Sequence, residues 1–276
     1  MMQSGKHLFN QKQSKIMGTN LKQAIQDQLK SKTILIMSHT VIGYPSLAIS
    51  AELVDELVVN GRVDLIELQF PFSEPIADGP ILLKANQTAV RDGTSIETCF
   101  DFARTITARH SETIFVIMTY YNILFKHGVM EFVKEAAEAN IKGIITPDIP
   151  PEVAQDYIEA CKKYQVSPIF LVTPDTTPER IRFIASLSEG MVYCVARPGV
   201  TGQKTTFTPE FYAYIDRVKA NTDLPIGVGF GLRTKEDIDQ LSGKAEIAIM
   251  CSKAIELCVN ESPAAVGGFF GSLRSA

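Results

Sequence analysis

The stretch from Asp64 to Pro80 reads D-L-I-E-L-Q-F-P-F-S-E-P-I-A-D-G-P. Its first part is a short apolar run, Leu65, Ile66 and Leu68, with one carboxylate, Glu67, in its middle. Its second part is a loop stiffened by Pro71, Pro75 and Pro80, which carries a second acid, Asp78, beside Gly79. An apolar run this short between polar segments predicts a buried strand rather than a helix. A carboxylate inside such a strand is costly unless it faces a cavity or has a partner. Position alone therefore makes Glu67 a candidate functional residue.

Seven further runs have the same form: Thr33 to Met37, Ile114 to Met118, Gly143 to Thr146, Pro168 to Val172, Val192 to Val195, Ile226 to Val228 and Ile247 to Met250. Helical patterns lie between them. Ser46 caps one from Leu47 to Val59; Ile81 to Arg91 and Ser95 to Arg109 follow, the latter opened by Thr94-x-x-Glu97 as a capping box. Later helices run from Val129 to Asn140 and from Glu152 to Tyr164, and others open at Thr177-Pro178, Thr208-Pro209, Thr234 with Asp237, and Lys253. Eight apolar strands alternating with helices imply parallel βαβ units covered on both faces. In a chain of this length they predict a single (β/α)₈ TIM barrel, with a doubly wound open sheet as the alternative. Leu21 to Lys30 adds an N-terminal helix, so the barrel domain is expected over residues 21–276 and a disordered extension over 1–20.

The chain has 276 residues, a formal net charge of −4 and no basic stripe with interleaved aromatics, which argues against nucleic-acid binding. Residues 1–20 lack the apolar core of a signal peptide, and no run is long enough to span a bilayer, so a cytoplasmic protein without membrane attachment is expected. Five scattered cysteines without a C-x-x-C pair suit buried reduced thiols better than disulfides.

In a barrel the chemistry sits in the loops at the C-terminal ends of the strands. Glu67 ends the second strand and Asp78 lies in the loop after it, so both point over one mouth. Two carboxylates in unlike surroundings can divide proton transfer between them. On spacing alone, backbone hydrogen bonding by Glu67 and loop turning by Asp78 remain equally open. Gly199-Val-Thr-Gly202, Gly227-Val-Gly-Phe-Gly231 and Cys251-Ser252 follow the sixth, seventh and eighth strands. Three adjacent loops with free N–H groups and a helix N-terminus suggest a phosphate site. The order G-x-G-x-G after a seventh strand is not a dinucleotide fingerprint. The four histidines are dispersed in sequence, and no metal-ligand spacing occurs, so no metal is expected. Tyr120, Tyr121, Asn122, Asp148 and Tyr193 lie at strand ends, where pocket lining and core packing are both open.

Taken together, E-L-x-x-P-F-S-[DE]-P-x-A-D-G-P, Y-N, P-D-x-P, T-x-E-R-I, R-x-G-V-T-G and G-F-G resemble the tryptophan synthase α subunit family, in order from about Thr33 to Lys253. The resemblance implies retro-aldol cleavage of indole-3-glycerol phosphate to indole and glyceraldehyde 3-phosphate. It implies Glu67 as acid/base and Asp78 as the carboxylate that orients the indole. It also implies phosphate binding by Gly202, Gly231, Cys251 and Ser252, loop closure by Thr201, and a pocket walled by Tyr193 and Phe230, to which Tyr120 is added as a substrate-binding candidate from its place at a strand end. No cofactor is implied for this chain; pyridoxal phosphate would belong to a β-subunit partner in an α₂β₂ heterotetramer. A regulatory subunit with little turnover, or another sugar-phosphate barrel enzyme, is the alternative.

Departures from the family pattern stand at Gln69 and Glu74, for a glycine and an aspartate, at Tyr44, at Ile123, and at Cys251 and Lys253 around the phosphate-binding serine. Gln69 and Glu74 are expected in the loop that meets the partner, and so to bear on docking more than on chemistry.

Overall fold

The second apolar run forms strand β2 (Leu65–Gln69), buried at every position. The computed structural model of the chain describes residues 19–196, 207–229 and 231–274. Around β2 stand β1 (Leu35–Val41), β3 (Ile114–Met118), β4 (Gly143–Ile145), β5 (Ser167–Ile169), β6 (Leu171–Val172), β7 (Val192–Val195), β8 (Ile226–Gly229) and β9 (Ile247–Met250). Every pairing is parallel, in the order β5-β4-β3-β2-β1-β9-β8-β7-β6. The fifth apolar run is thus one bent strand broken at Phe170. Its first half pairs with β4 and its second with β7, which closes the ring. The helices are α1 (Leu21–Leu29), α2 (Leu47–Val59), α3 (Pro80–Arg91), α4 (Ile96–Arg109), α5 (Tyr121–His127), α6 (Val129–Glu138), α7 (Gln155–Tyr164), α8 (Pro178–Leu187), α9 (Pro209–Lys219), α10 (Lys235–Leu241), α11 (Ser252–Asn260) and α12 (Pro263–Ser272). This is the TIM barrel with an added N-terminal helix. The expected extension lies almost wholly outside the described residues.

The period of two along each strand separates two cores. Leu35, Met37, Leu65, Val116, Met118, Ile145, Met191, Tyr193, Ile247 and Ile249 fill the barrel interior. Ile36, Ile66, Leu68, Phe115, Ile117, Val192 and Ala248 face outward and pack against the helices. Helix α1 closes the N-terminal end of the barrel with Leu21 and Ile25, both fully buried in the interior cluster. Its start is fixed by Asn20, whose Oδ1 accepts the Gln23 N–H at 2.9 Å.

Local signals explain most helix starts. Ser46, Thr177 and Thr208 cap α2, α8 and α9, and Thr234 with Asp237 forms the capping box of α10. The expected box at Thr94 and Glu97 does not form. Ser95 is the cap of α4, and its hydroxyl accepts the Thr98 N–H at 3.2 Å. Thr94 packs instead on Gly43, where a Cβ would stand 2.1 Å from the Thr94 hydroxyl and where φ is +88°. Helix α5 falls where sequence periodicity showed none. Tyr121 begins it, and the Asp148 carboxylate accepts the Tyr121 N–H at 2.8 Å. Among the described residues no helix is long and apolar enough to cross a membrane, and all five cysteines are free thiols.

Candidate active site

Alternation along β2 puts Leu65, Glu67 and Gln69 on the interior face, with the apolar residue deepest and the two polar ones toward the C-terminal mouth. Glu67 is 4 % exposed. The backbone N–H alternative left open by its sequence position is not what the fold supplies. Its Oε1 lies 2.7 Å from Nδ1 of His39, itself 1 % exposed. The two are register partners across the β1–β2 pairing. Glu67 Oε2 has no hydrogen-bond partner among the described residues, nor has His39 Nε2. Unpaired buried polar atoms are rare enough in folded proteins to need a reason. A reacting group awaiting its substrate is one.

Asp78 is brought to the same place by the proline-stiffened loop and is buried. Its Oδ2 accepts from Gln69 Nε2 at 2.8 Å, from the Tyr120 hydroxyl at 3.2 Å and, more weakly, from Asn86 Nδ2 at 3.4 Å. Burial pushes the Asp78 carboxyl above the ordinary carboxylate range, and the nearby Glu67 charge adds to this; the Gln69 and Tyr120 hydrogen bonds pull it back. Asn86, on α3, also accepts the Phe72 N–H at 3.0 Å, and the Tyr120 hydroxyl accepts the Ala77 N–H at 3.1 Å. The loop carrying Asp78 is therefore tied at both flanks.

Gln69 thus corrects an expectation. It is the last residue of β2, fully buried and bonded to Asp78, not a residue of a docking loop. Glu74, five positions on, is exposed as expected. His39 is the residue that sequence reading missed. The first apolar run was ended at Met37, whereas β1 continues to Val41, and the two-residue period through Leu35 and Met37 places His39 inside. The strand continues through Ser38, His39 and Thr40, all buried: His39 meets Glu67 of β2 inside the barrel, and the Ser38 hydroxyl donates to the Met250 carbonyl of β9 at 3.1 Å.

Tyr193 lies on β7 and is buried; a Cβ at Gly229 of β8 would stand 2.4 Å from its hydroxyl, so only glycine admits the ring there. Burial, and the charges of Glu67 and Asp78, hold the Tyr193 phenol well above its usual range. Cys251 follows β9 directly and is half-buried, and desolvation with the two carboxylates pushes its thiol up as well. It is therefore a neutral thiol, not an activated one. Glu67, Asp78, Met118, Ile145, Tyr193 and Cys251 line a cavity of about 30 Å³.

Ser252 opens α11, with Cys251 at its cap position, and Gly231 takes φ +94° just beyond β8. These two expected phosphate residues stand at the same mouth as the acids. Thr201, Gly202 and Phe230, the other sequence candidates, lie outside the described residues. Folding also assembles what sequence spacing did not show: His39, Glu67 and Cys251 offer N, O and S atoms all within 4.8 Å of one another.

A family model for the tryptophan synthase alpha chain matches residues 25–266. Among curated proteins, the chain is 46 % identical over 254 residues to the tryptophan synthase alpha chain of Desulfotalea psychrophila, covering 92 % of this chain and 99 % of that one. It is 49 % identical over 249 residues to that of Desulforapulum autotrophicum, covering 90 % and 98 %. Among solved structures, Mycobacterium tuberculosis tryptophan synthase superposes with a TM-score of 0.85 at 30 % identity, over 92 % of this chain and 96 % of that one. The subunit alpha of Legionella pneumophila tryptophan synthase gives 0.84 at 27 % identity, over 93 % and 98 %. With a closed parallel barrel, paired acids at its mouth and these matches along nearly the whole chain, the protein belongs to the tryptophan synthase alpha chain family, a lyase of tryptophan synthesis.

Proposed function

We propose that the chain cleaves indole-3-glycerol phosphate by a retro-aldol reaction, releasing indole and glyceraldehyde 3-phosphate. Cleavage of the bond between indole C3 and the glycerol chain requires a proton on C3, so that the ring accepts the bonding electrons. It also requires loss of the proton on the adjacent glycerol hydroxyl, so that this carbon leaves as an aldehyde. Glu67 serves both steps through Oε2, first as general acid and then as general base, each worth about 10²- to 10⁴-fold. Asp78 accepts the indole N–H and stabilises the positive charge that develops on the ring nitrogen. Gln69 and Tyr120 keep its carboxylate available by donating to Oδ2. Gly202, Gly231, Cys251 and Ser252 bind the phosphate through N–H groups and the N-terminus of α11, Thr201 helps close the site, and Phe230 and Tyr193 wall the indole. Lys253, the second residue of the same helix and 5.6 Å from the Phe269 ring centroid, adds positive charge near that end.

The observation that supports the reading is the unequal pair of acids: among the described residues, Glu67 has one oxygen unbonded and Asp78 is held by three donors, and both face one cavity. No metal or organic cofactor is assigned to this chain. The partner is a β subunit carrying pyridoxal phosphate, in an α₂β₂ assembly; one structural relative, from Pyrococcus furiosus, is described as a mutually activating a2b2 complex. The test is purified chain with indole-3-glycerol phosphate, alone and with a β subunit. Indole and glyceraldehyde 3-phosphate should appear in equal amounts, faster with the partner. Absence of indole in both cases would defeat the reading.

A further inference from the structure

We infer that His39 is a positioning residue for the acid/base carboxylate: its Nδ1–H donates to Glu67 Oε1 and so leaves Oε2 as the one oxygen that exchanges protons with substrate. The inference rests on the reaction proposed above and deepens it. It starts from three facts. The two side chains are 1 % and 4 % exposed, so neither can be satisfied by bulk water. They stand 2.7 Å apart, a distance at which one proton is shared. Each then has one atom left over without a partner among the described residues, Nε2 on the ring and Oε2 on the carboxylate.

Protonation follows from that arrangement. An imidazolium would carry a second N–H at Nε2 with nothing among the described residues to receive it, a buried orphan donor. Whether Oε2 holds its proton or has given it to the substrate, the neutral ring protonated at Nδ1 satisfies the near oxygen and leaves only a lone pair unpaired on Nε2. The carboxylate is thereby fixed in rotation about its last bond. Among the described residues, the groups that bear on it from the surrounding strands and loop are Asp78, Tyr193 and Cys251, none of them a cation. His39 is therefore the donor that holds Glu67 in place. In the catalytic cycle the proton leaves Oε2 for indole C3 and a proton returns to Oε2 from the glycerol hydroxyl. The His39–Glu67 hydrogen bond persists through both transfers, and His39 neither gains nor loses a proton.

The same ring, carboxylate and Cys251 thiol resemble a zinc ligand set. Two observations favour the shared proton. Ligands at zinc–ligand distances of about 2.0–2.1 Å in tetrahedral geometry stand more than 3 Å apart, whereas the facing N and O atoms are at 2.7 Å. The Cys251 thiol, moreover, is held protonated by its surroundings.

The test compares His39→Phe with His39→Asn, whose amide nitrogen takes the place of Nδ1. His39→Phe should lower kcat for indole release about tenfold to a hundredfold, the cost of a misplaced catalytic group, with KM little changed. His39→Asn should recover most of that loss. Full kcat in His39→Phe would overturn the inference. So would equal losses in the two variants when both still bind an indolyl alkyl phosphate lacking the glycerol hydroxyls. Should His39→Phe not fold, ¹⁵N spectra of the histidine-labelled wild-type chain decide, with His39→Asn used to assign the signals. A protonated-type Nδ1 and an unprotonated-type Nε2 are expected at neutral pH; the reverse pattern would overturn the inference. Because the spectra need no turnover, a wild-type chain that releases no indole would defeat the proposed reaction and leave the tautomer question separately answered.

Discussion

Asp64 and Glu67 stand three positions apart, with Leu65 and Ile66 between them; both are buried, and their surroundings are opposite. Asp64 stands just before β2, at the closed end of the barrel. Its Oδ2 accepts the Ile36 N–H at 2.7 Å, and its two oxygens also pair with Lys32 and Arg274. Every unit of charge on that carboxylate is answered, and through Arg274 and Ile36 it links the C-terminal end of the described chain to β1. Glu67, near the open end, has one neutral partner and an oxygen with none among the described residues. A buried acid saturated by cations and N–H groups is structural. One left short of partners stores unsatisfied polarity that a substrate can use. The difference teaches that burial alone does not mark an active acid; the count of donors around it does.

The contrast can be broken most sharply at the structural end. Asp64→Ala should lower stability by about 3–5 kcal/mol, since it strands two cationic partners and a backbone donor, while kcat of the folded fraction stays at the wild-type value. Urea unfolding together with indole release checks both; a loss of kcat without loss of stability would reverse the assignment.

Asp78→Asn probes the intermediate case and should act in the opposite sense on the two readouts. Turnover should fall about a hundredfold as the charge facing the indole nitrogen is lost. Stability at neutral pH should rise by about 1 kcal/mol, as is common when a functional strain is removed. The sign follows from the direction of the shift. Burial raises the Asp78 carboxyl above its ordinary value of 3.8, so the native chain binds that proton more tightly than the unfolded one. Its contribution to stability is present below the ordinary value and is lost as pH rises through the raised one. The stability gain of Asp78→Asn should therefore vanish in acid.

Gln69→Leu removes the shortest hydrogen bond to Asp78 and should displace that carboxyl further upward. The acid limb of the kcat/KM profile should move to higher pH, with about a tenfold loss on that limb for each unit of displacement. An unmoved limb would mean that Gln69 serves only packing. The smallest effect belongs to the closed end. Asn20→Ala should cost about 1 kcal/mol through loss of the α1 cap and leave indole release unchanged, measured by thermal unfolding and the same assay.

Much of this was legible in the sequence because it depends on local pattern. The eight apolar runs specified the barrel, and Glu67 declared itself as an acid out of place in one of them. The bend at Phe170 was not legible, since the stagger that splits one run into β5 and β6 depends on ring closure rather than on local residues. At Thr94-Ser95 two adjacent hydroxyls could both cap, and only the path of the chain past Gly43 selects Ser95. His39 was hidden for a related reason. Three polar residues after Met37 look like the end of a strand, and become its continuation only when β2 supplies Glu67 opposite. Gln69 was placed in a loop by analogy, although its parity with Leu65 and Glu67 already pointed to the interior. The partners of the acids come from other strands and from a loop, and that pairing is a property of the tertiary structure.

The central claim is that the under-satisfied oxygen of Glu67 carries the proton in both directions. The most direct measurement is single-turnover cleavage of indole-3-glycerol phosphate by Glu67→Gln beside equilibrium binding of an indolyl alkyl phosphate. The account predicts a fall in the cleavage rate of at least about 10²-fold with binding close to wild type. Cleavage at the wild-type rate would contradict it.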